Sequence, residues 1–148
     1  MQTKIWSIPA ERMKMRRPHQ VPLPAQAVAL LEQLRLLTGS GEYLLPSIRS
    51  VTRTMSENTM NAALRTMGYS GEEVTAHGFR ATFSTLANES GLWHPDAIER
   101  ALAHVDEDTV RRAYARGEHW DQRVRLADWW AGFLDTQRTA QQMTHLDG

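Results

Sequence analysis

The sequence predicts a mainly α-helical domain that begins with a small β-hairpin. The segment KIWSIP alternates apolar and polar residues, as short strands do, and HQVPLP follows as its candidate partner. After residue 24, apolar residues recur at helical spacing in several segments bounded by Pro, Gly or a capping residue. With 148 residues, the chain is long enough for one domain with a buried core.

The predicted hairpin joins residues 4–9, which stop at Pro9, to residues 19–24. The prolines of the second segment indicate that it lies at an edge or ends early, because proline lacks the N–H that a strand ladder needs. The loop between the strands is basic. Across the first twenty residues Glu11 is the only acidic residue, and the cations are Lys4, Arg12, Lys14, Arg16 and Arg17.

The first predicted helix spans residues 24–39, where Pro24 suits the first turn and Gly39 marks the end. Four apolar residues follow helical spacing along it: Val28, Leu31, Leu34 and Leu37. Residues 40–54 are then predicted to form a loop with a brief apolar segment.

Two helices are predicted in the middle of the chain. One lies within residues 56–69, opens with Ser56 and stops at Gly68. The next has Thr75 as its candidate N-cap and ends near Gly91. The apolar side of the earlier helix is predicted to comprise Met60, Ala63, Leu64 and Met67.

Three more helices are predicted toward the C-terminus. Pro95 suits the start of a helix within residues 94–105, and an acidic cap precedes a short helix within residues 106–116. Residues 121–135 form the last predicted helix, and the polar residues 137–148 are expected to be a flexible tail. The apolar stripe of the last helix is predicted to be Val124, Ala127, Trp130 and Leu134.

Composition excludes several classes of protein. The absence of cysteine excludes disulfides and thiolate metal sites, and it fits a reducing compartment. No apolar run approaches 18 residues, and the first residues lack the apolar core of a secretory signal. We therefore expect a cytoplasmic protein that does not enter a membrane.

The formal net charge is zero, but the charges are unevenly distributed. Residues 1–80 hold ten Lys or Arg against six Asp or Glu, whereas residues 81–148 hold seven against eleven. A local basic patch can bind phosphates although the whole molecule is neutral. The alternative is that solvated charges cluster here without a partner.

His77 and Arg80 lie three positions apart at the start of the helix capped by Thr75. Residues at this spacing share a helix face, so an imidazole and a guanidinium can reach one ligand. An arginine fork suits a carboxylate or a phosphate, and the imidazole suggests proton chemistry on it. The alternative is a surface arginine beside an ordinary histidine.

Metal and serine-hydrolase chemistry find little support in the sequence. The histidines at positions 77, 94, 104 and 119 show no HExxH or other tight ligand spacing, so we expect no metal and no other cofactor. There is also no GxSxG elbow and no alternating βα pattern.

The remaining interpretation is a phosphate cradle made by Arg80, Lys14 and the histidines, with Tyr114 as nucleophile. A phenol has a pKa of about 10 and is mostly protonated at neutral pH. It therefore needs a positive, hydrogen-bonding site before it can attack phosphorus. Cationic side chains can stabilise phosphoryl transfer by position and charge, without a metal.

Three segments, TAHGFRATFSTLANE, IERALAHVDEDTVRRAYAR and RLADWWAGFLD, resemble the catalytic domain of tyrosine recombinases, and more narrowly the P4-like prophage integrases. The front segment WSIPAERMKMRRPHQVPLP resembles that family's β-hairpin, whose loop carries a catalytic lysine. The resemblance covers about residues 4–135. It implies the catalytic-domain fold of the family and site-specific DNA recombination in prophage integration or excision.

The resemblance implies a role for each residue of the cradle. Tyr114 would attack the scissile phosphate and form a 3′-phosphotyrosyl link, and Arg80 would clamp the non-bridging oxygens. His77 would assist proton transfer, His104 would contact the phosphate, and Lys14 would protonate the departing 5′-oxygen. The family's partners would be double-stranded DNA at an attachment site and other integrase subunits, four of which assemble on DNA.

Each role has a simpler alternative. The alternative for Lys14 is a contact to a backbone phosphate, because several arginines lie next to it in the sequence. The alternative for Tyr114 is a tyrosine that packs in the core, and the alternative for His104 is a histidine that caps a helix. We expect DNA-phosphate contacts from Arg12, Arg16 and Arg17, and packing roles for Trp120, Trp129 and Trp130.

The chain departs from the family pattern at its front end. The pattern has a further catalytic arginine and a first strand ahead of the hairpin, and residues 1–4 hold no arginine. We expect a partial catalytic domain over residues 1–136, truncated at its N-terminus, and a tail over residues 137–148. Apolar surface around Ile5, Ile8 and Val21 is expected to be bare and to favour self-association.

Two functions from different classes follow from this departure. The first is the catalytic part of a bacterial, nucleoid-associated recombinase that is inactive as an isolated fragment, because loss of one preorganised donor costs on the order of 10²–10³ in rate. The second is a non-catalytic integrase remnant that binds DNA weakly or interacts with other subunits.

Overall fold

A computed structural model describes residues 4–14, 16–39, 41–104 and 119–146 of the chain. These residues form five α-helices and two small antiparallel sheets, which confirms the predicted mainly α class. The chain divides into two compact units, residues 1–27 with residues 84–148, and residues 28–83. The predicted helix within residues 106–116 lies outside the described residues.

The predicted N-terminal hairpin is confirmed. Strand β1 (Lys4–Ile8) pairs antiparallel with β2 (His19–Leu23), so that Lys4 faces Leu23 and Ile8 faces His19 across the ladder. Pro22 is the buried residue of β2. Among the described residues this sheet has two strands, and the outer edge of β1 carries the exposed side chains of Ile5 (45%) and Trp6 (57%).

The expected bare apolar surface around this hairpin is therefore seen at Ile5, whereas Ile8 and Val21 are half-buried. Val21 lies on β2, the strand that packs against the last helix described below, whereas Ile5 lies on β1.

Helix α1 (Ala25–Thr38) follows directly, within the range that its apolar spacing predicts. Gly39 ends it with φ of 71° and donates its N–H to the Arg35 carbonyl at 2.9 Å. Glycine adopts this left-handed conformation without the Cβ clash that other residues meet, so its role as the stop is confirmed.

The loop predicted for residues 40–54 is wrong in part, because this segment contains a second hairpin. Strand β3 (Pro46–Ser47) pairs with β4 (Ser50–Thr54), with an irregularity between Pro46 and Ser47. The N–H of Met55 donates to the Leu45 carbonyl at 3.0 Å and closes the ladder. Val51, Thr52 and Thr54 are β-branched residues that favour a strand, but the segment is too short and polar for a clear alternation.

Helix α2 (Thr59–Thr66) begins three residues after the predicted start at Ser56 and has Asn58 in the N-cap position. Gly68, with φ of 96°, stops the chain from continuing as a helix, as predicted. Of the predicted apolar side only Leu64 is buried, because Met60 and Met67 are exposed and Ala63 also faces solvent.

Helices α3 (Ala76–Glu89) and α4 (Pro95–Ala101) agree with their predicted positions. Gly91 separates them with φ of 64°. His94 caps α4, since its Nδ1 accepts the N–H of Asp96 at 3.2 Å.

Helix α5 (Trp120–Leu146) is longer than the predicted last helix. The segment 137–148, expected to be a flexible tail, is helical as far as Leu146. The predicted apolar stripe of this helix is wrong, because Val124, Ala127 and Trp130 are half-buried and Leu134 is exposed. The buried residues in the described part of α5 are Arg123, Leu126 and Ala131.

The core of the first unit lies where α5 packs against α4 and β2. The buried apolar side chains of this unit are Ala87, Ala97, Ile98, Leu102, Leu126 and Ala131. Arg123, only 4% exposed, donates a hydrogen bond from Nη2 to the Gln20 carbonyl of β2 and stacks over the Trp120 ring at 5.4 Å. No helix in the described part of the chain is long and apolar enough to cross a membrane.

Aromatic side chains extend this packing along α5. The rings of Trp129, Trp130 and Phe133 lie with centroids 5.3 to 6.1 Å apart, and Trp93 lies 5.9 Å from Trp129. Such spacings suit offset or tilted aromatic pairs. The packing roles predicted for Trp129 and Trp130 agree with these contacts, and that of Trp120 agrees with the position of Arg123 over its ring.

We expect Leu126→Ala to lower the free energy of unfolding by about 2–5 kcal/mol, because it leaves a cavity at a fully buried leucine. Leu126 is 1% exposed. The matched control is Leu134→Ala on the same helix, where the leucine is 49% exposed and the loss should stay below about 1 kcal/mol. Equal losses for the two variants in urea denaturation would contradict the placement of this core.

Candidate functional site

The N-terminal end of α3 holds His77 and Arg80. Thr75 accepts the N–H of Gly78 on its Oγ1 at 2.9 Å, which confirms the predicted N-cap. Asn61 of α2 accepts the N–H of Ala76 on its Oδ1 at 2.8 Å. Two of the N–H groups that every helix leaves without an intrahelical partner are therefore satisfied, and the first turn of α3 is held by side chains on both sides.

The connection between α2 and α3 is fixed by Arg65. Its guanidinium donates to the carbonyls of Tyr69 at 2.5 Å and Val74 at 2.6 Å. Within the same turn, the Ser70 N–H donates to the Glu73 carboxylate at 2.7 Å. That hydrogen bond, together with the Ser70 hydroxyl, lowers the pKa of Glu73 below its ordinary value. The turn ends one residue before the Thr75 cap.

His77 and Arg80 occupy the second and fifth positions of α3 and share a face, as their spacing predicts. The imidazole of His77 is exposed, and Arg80 is half-buried and interacts with another part of the protein. An exposed imidazole on the same helix face as an arginine is suited to bind an anionic group that arrives from solvent.

Lys14 lies in the loop between β1 and β2. A short 3-10 helix (Ala10–Arg12) opens the loop, and the N–H groups of Met13 and Arg16 donate to the carbonyls of Ala10 and Met13 at 3.1 and 2.9 Å. Arg16 has φ of 48°, which is uncommon for a residue with a side chain. The loop is thus a series of tight turns that exposes four cations: Arg12, Lys14, Arg16 and Arg17.

His104 follows the C-terminal end of α4. Its N–H donates to the Glu99 carbonyl at 2.9 Å, the N–H of Ala103 donates to the Arg100 carbonyl at 3.1 Å, and Ala103 has φ of 54°. This pair of hydrogen bonds is the Schellman pattern, with alanine in the position that favours glycine. The Nδ1 of His104 lies 2.7 Å from the Glu99 carboxylate, and both side chains are about half exposed.

The structure thus groups the predicted residues in three places. His77 and Arg80 share a face of α3; Lys14 shares its loop with three arginines; His104 stands alone at the end of α4. Tyr114 lies outside the described residues. Their joint action on one phosphate remains a prediction.

Sequence reasoning missed the residues that position these side chains. Asn61 and Arg65 hold the start of α3 from α2, and Glu99 holds the imidazole of His104. Glu99 lies five residues before His104, and their side chains meet only because the helix ends in a left-handed turn. No local pattern in the sequence marks Asn61, whose partner lies fifteen residues away.

One group in the described residues has the composition of a metal site. Ligand atoms of His94, Asp96 and His119 all lie within 4.8 Å of one another. From spacing in the sequence alone, no metal is expected at His94 and His119. They lie together because α4 and α5 begin close to each other.

Comparison with known proteins identifies the family. The family model described as "Phage integrase family" matches residues 1–119. This chain therefore belongs to the phage integrase family, which confirms the resemblance seen in the sequence.

Curated relatives agree with this assignment. The chain is 45% identical over 148 residues to "Integrase" of Enterobacteria phage P4, a match that covers 90% of this chain and 34% of that protein. It is 44% identical over 142 residues to "Prophage integrase IntA" of Escherichia coli (strain K12), covering 95% of this chain and 34% of the relative. "Putative protein IntB" of the same strain is 40% identical over 151 residues, covering 93% and 38%.

The chain spans about a third of the length of the curated relatives it matches. No solved structure matches it significantly.

The alanine in the left-handed turn before His104 generates a stability prediction. Ala103→Gly should raise the free energy of unfolding by about 1 kcal/mol, because an L-residue pays roughly that amount to adopt positive φ. Ala101→Gly at the last residue of α4 is the control, and it should lower stability by about 0.5–1 kcal/mol. Chemical denaturation of both variants would check this, and a loss of stability in Ala103→Gly would contradict the turn.

Proposed function

We propose that this chain supplies the phosphate-binding and nucleophilic residues of a site-specific DNA recombinase that acts through a 3′-phosphotyrosyl intermediate. Family membership supports recombination in general. The observation that carries the finer proposal is the capped start of α3, where His77 and Arg80 share one face and His77 is open to solvent.

In the proposed reaction, the phenol oxygen of Tyr114 attacks the phosphorus of a DNA phosphodiester. A bond forms between phosphorus and the tyrosine oxygen, and the bond between phosphorus and the 5′-oxygen breaks. Lys14 gives a proton to the departing 5′-oxygen, and His77 assists removal of the proton from the phenol. Rejoining is the reverse attack by a 5′-hydroxyl, so the step needs no external energy source.

Negative charge accumulates on the non-bridging oxygens in the transition state. Arg80 is placed in the proposal as the clamp for these oxygens, since a guanidinium donates two parallel hydrogen bonds to a phosphate. Fixed donors of this kind lower the barrier because they need no reorganisation as the charge develops.

His104 is proposed to act on the same phosphate through its Nε2. Its Nδ1 donates to Glu99 at 2.7 Å, which orients the ring and directs Nε2 away from that carboxylate. When the imidazole is protonated, both nitrogens are donors, so the ring can hold Glu99 and a phosphate oxygen together. In this interpretation Glu99 is a positioning residue.

The basic loop is proposed to contact the DNA backbone. Arg12, Arg16 and Arg17 surround Lys14 in a series of turns held by backbone hydrogen bonds, and all four side chains are exposed. Each phosphate contact releases condensed counterions, so binding should weaken steeply as salt rises. These contacts carry no sequence information by themselves; they place the duplex against Lys14.

We further propose that these 148 residues, as an isolated polypeptide, exchange strands poorly. The resemblance assigns a second catalytic arginine ahead of the hairpin, and the chain spans about a third of its relatives' length. The alternative of a non-catalytic module that binds DNA or other subunits draws on one observation, the exposed apolar side chains at the edge of β1.

Covalent capture separates these two functions. A nicked duplex that carries the attachment site traps the intermediate, because the short product diffuses away before religation. We expect a DNA adduct that survives denaturation in the full-length integrase, loss of the adduct in Tyr114→Phe, and a drop of at least 10²-fold in Arg80→Ala. Absence of an adduct at high concentration of full-length protein would favour the non-catalytic module.

The salt dependence of DNA binding tests the basic loop. Arg16→Ala and Arg17→Ala should each weaken binding to duplex DNA and reduce the slope of log K against log salt by about 0.9. Arg138→Ala is the matched control: this exposed arginine on α5 pairs with Asp135 at 3.1 Å and should leave the slope unchanged. Tight binding that is indifferent to salt would overturn the proposed contacts.

A further inference from the structure

The starts of α4 and α5 bring together three side chains that the proposed recombination does not use. His94 precedes α4, Asp96 lies in its first turn, and His119 immediately precedes α5. The rings of His94 and His119 are nearly parallel, with an interplanar angle of 12° and centroids 5.4 Å apart. The His94 Nδ1 lies 3.8 Å from the Asp96 Oδ2.

We propose that His94, Asp96 and His119 bind a divalent transition-metal ion such as Zn²⁺. Two imidazole nitrogens and one carboxylate oxygen are the donor set that zinc takes at sites with an open fourth position. Imidazole selects transition metals over Mg²⁺ and Ca²⁺, which prefer oxygen ligands. The assignment is independent of the proposed phosphate chemistry.

The present distances are close to those that coordination requires. The ligand atoms lie within 4.8 Å of one another, and ligands about 2.0–2.1 Å from a tetrahedral zinc are separated by about 3.3 Å. His94 is exposed and Asp96 and His119 are half-buried, so rotation about side-chain bonds can close the difference.

Coordination would replace an existing hydrogen bond of His94. The Nδ1 lone pair that now accepts the Asp96 N–H at 3.2 Å is a lone pair that a metal ion would take. The bond is long, and α4 retains Pro95 in its first turn, which needs no N–H partner. The exchange therefore replaces a weak contact with a coordinate bond.

A bound ion would join two points that are distant in the sequence. His119 is the first described residue after the segment 105–118, which contains Tyr114, and His119 has φ of 44°. The ion would tie this residue to the start of α4, so the chain position five residues after Tyr114 would be anchored.

Titration calorimetry of the purified chain with Zn²⁺ tests the proposal. We expect one Zn²⁺ per chain and at least a tenfold loss of affinity in Asp96→Asn and His119→Ala. His94→Asn is the sharpest variant, because asparagine also caps helices well and should preserve α4 while it removes the imidazole ligand. His19→Ala, at a histidine of β2, is the control and should bind Zn²⁺ as the unaltered chain does.

A second measurement uses stability. Zn²⁺ should raise the melting temperature of the unaltered chain and of His19→Ala, because a ligand that binds only the folded state stabilises it. Zn²⁺ should leave the melting temperatures of His94→Asn and His119→Ala unchanged. Mg²⁺ should not raise the melting temperature of the unaltered chain or of any of these three variants. Absence of stoichiometric Zn²⁺ binding, or equal binding by the unaltered chain and His94→Asn, would overturn the site.

Discussion

The packing of α5 against α4 and β2 is the contact on which the first unit depends. The N-terminal hairpin has two strands in the described part of the chain, and an isolated two-stranded hairpin is only marginally stable in water. The buried guanidinium of Arg123 donates to the Gln20 carbonyl, so α5 holds β2 at a point 103 residues earlier in the sequence. Because the loop with Lys14 extends from this hairpin, its position depends on α5 as well.

The candidate functional residues stand at the ends of elements, where local hydrogen bonds fix the backbone and leave the side chains accessible. Thr75 and Asn61 hold the first turn of α3, and the left-handed turn at Ala103 presents His104. Such positions suit the proposed binding of a bulky, charged polymer. The backbone is positioned in advance, and the cost of ordering falls mainly on exposed side chains.

The proposed phosphate chemistry and the proposed cation site make different demands on histidine. His104 would donate hydrogen bonds to Glu99 and a phosphate together, which needs the protonated ring, whereas His77 would take part in proton transfer. His94 and His119 would donate lone pairs to a metal ion, which requires the neutral ring.

The sequence by itself determined the mainly α class, the first hairpin, the positions of α1, α3 and α4 and the family, because these follow from local spacing, caps and ordered motifs. Only the tertiary structure decided which face of α5 is buried, since Arg123 is buried by its partner in β2 and no periodicity of apolar residues marks an arginine. It also decided the second hairpin and the meeting of His94 with His119, 25 positions apart. The histidines meet through packing of distant segments, which leaves no local pattern, and the strands of the second hairpin are too short and polar to show an alternation.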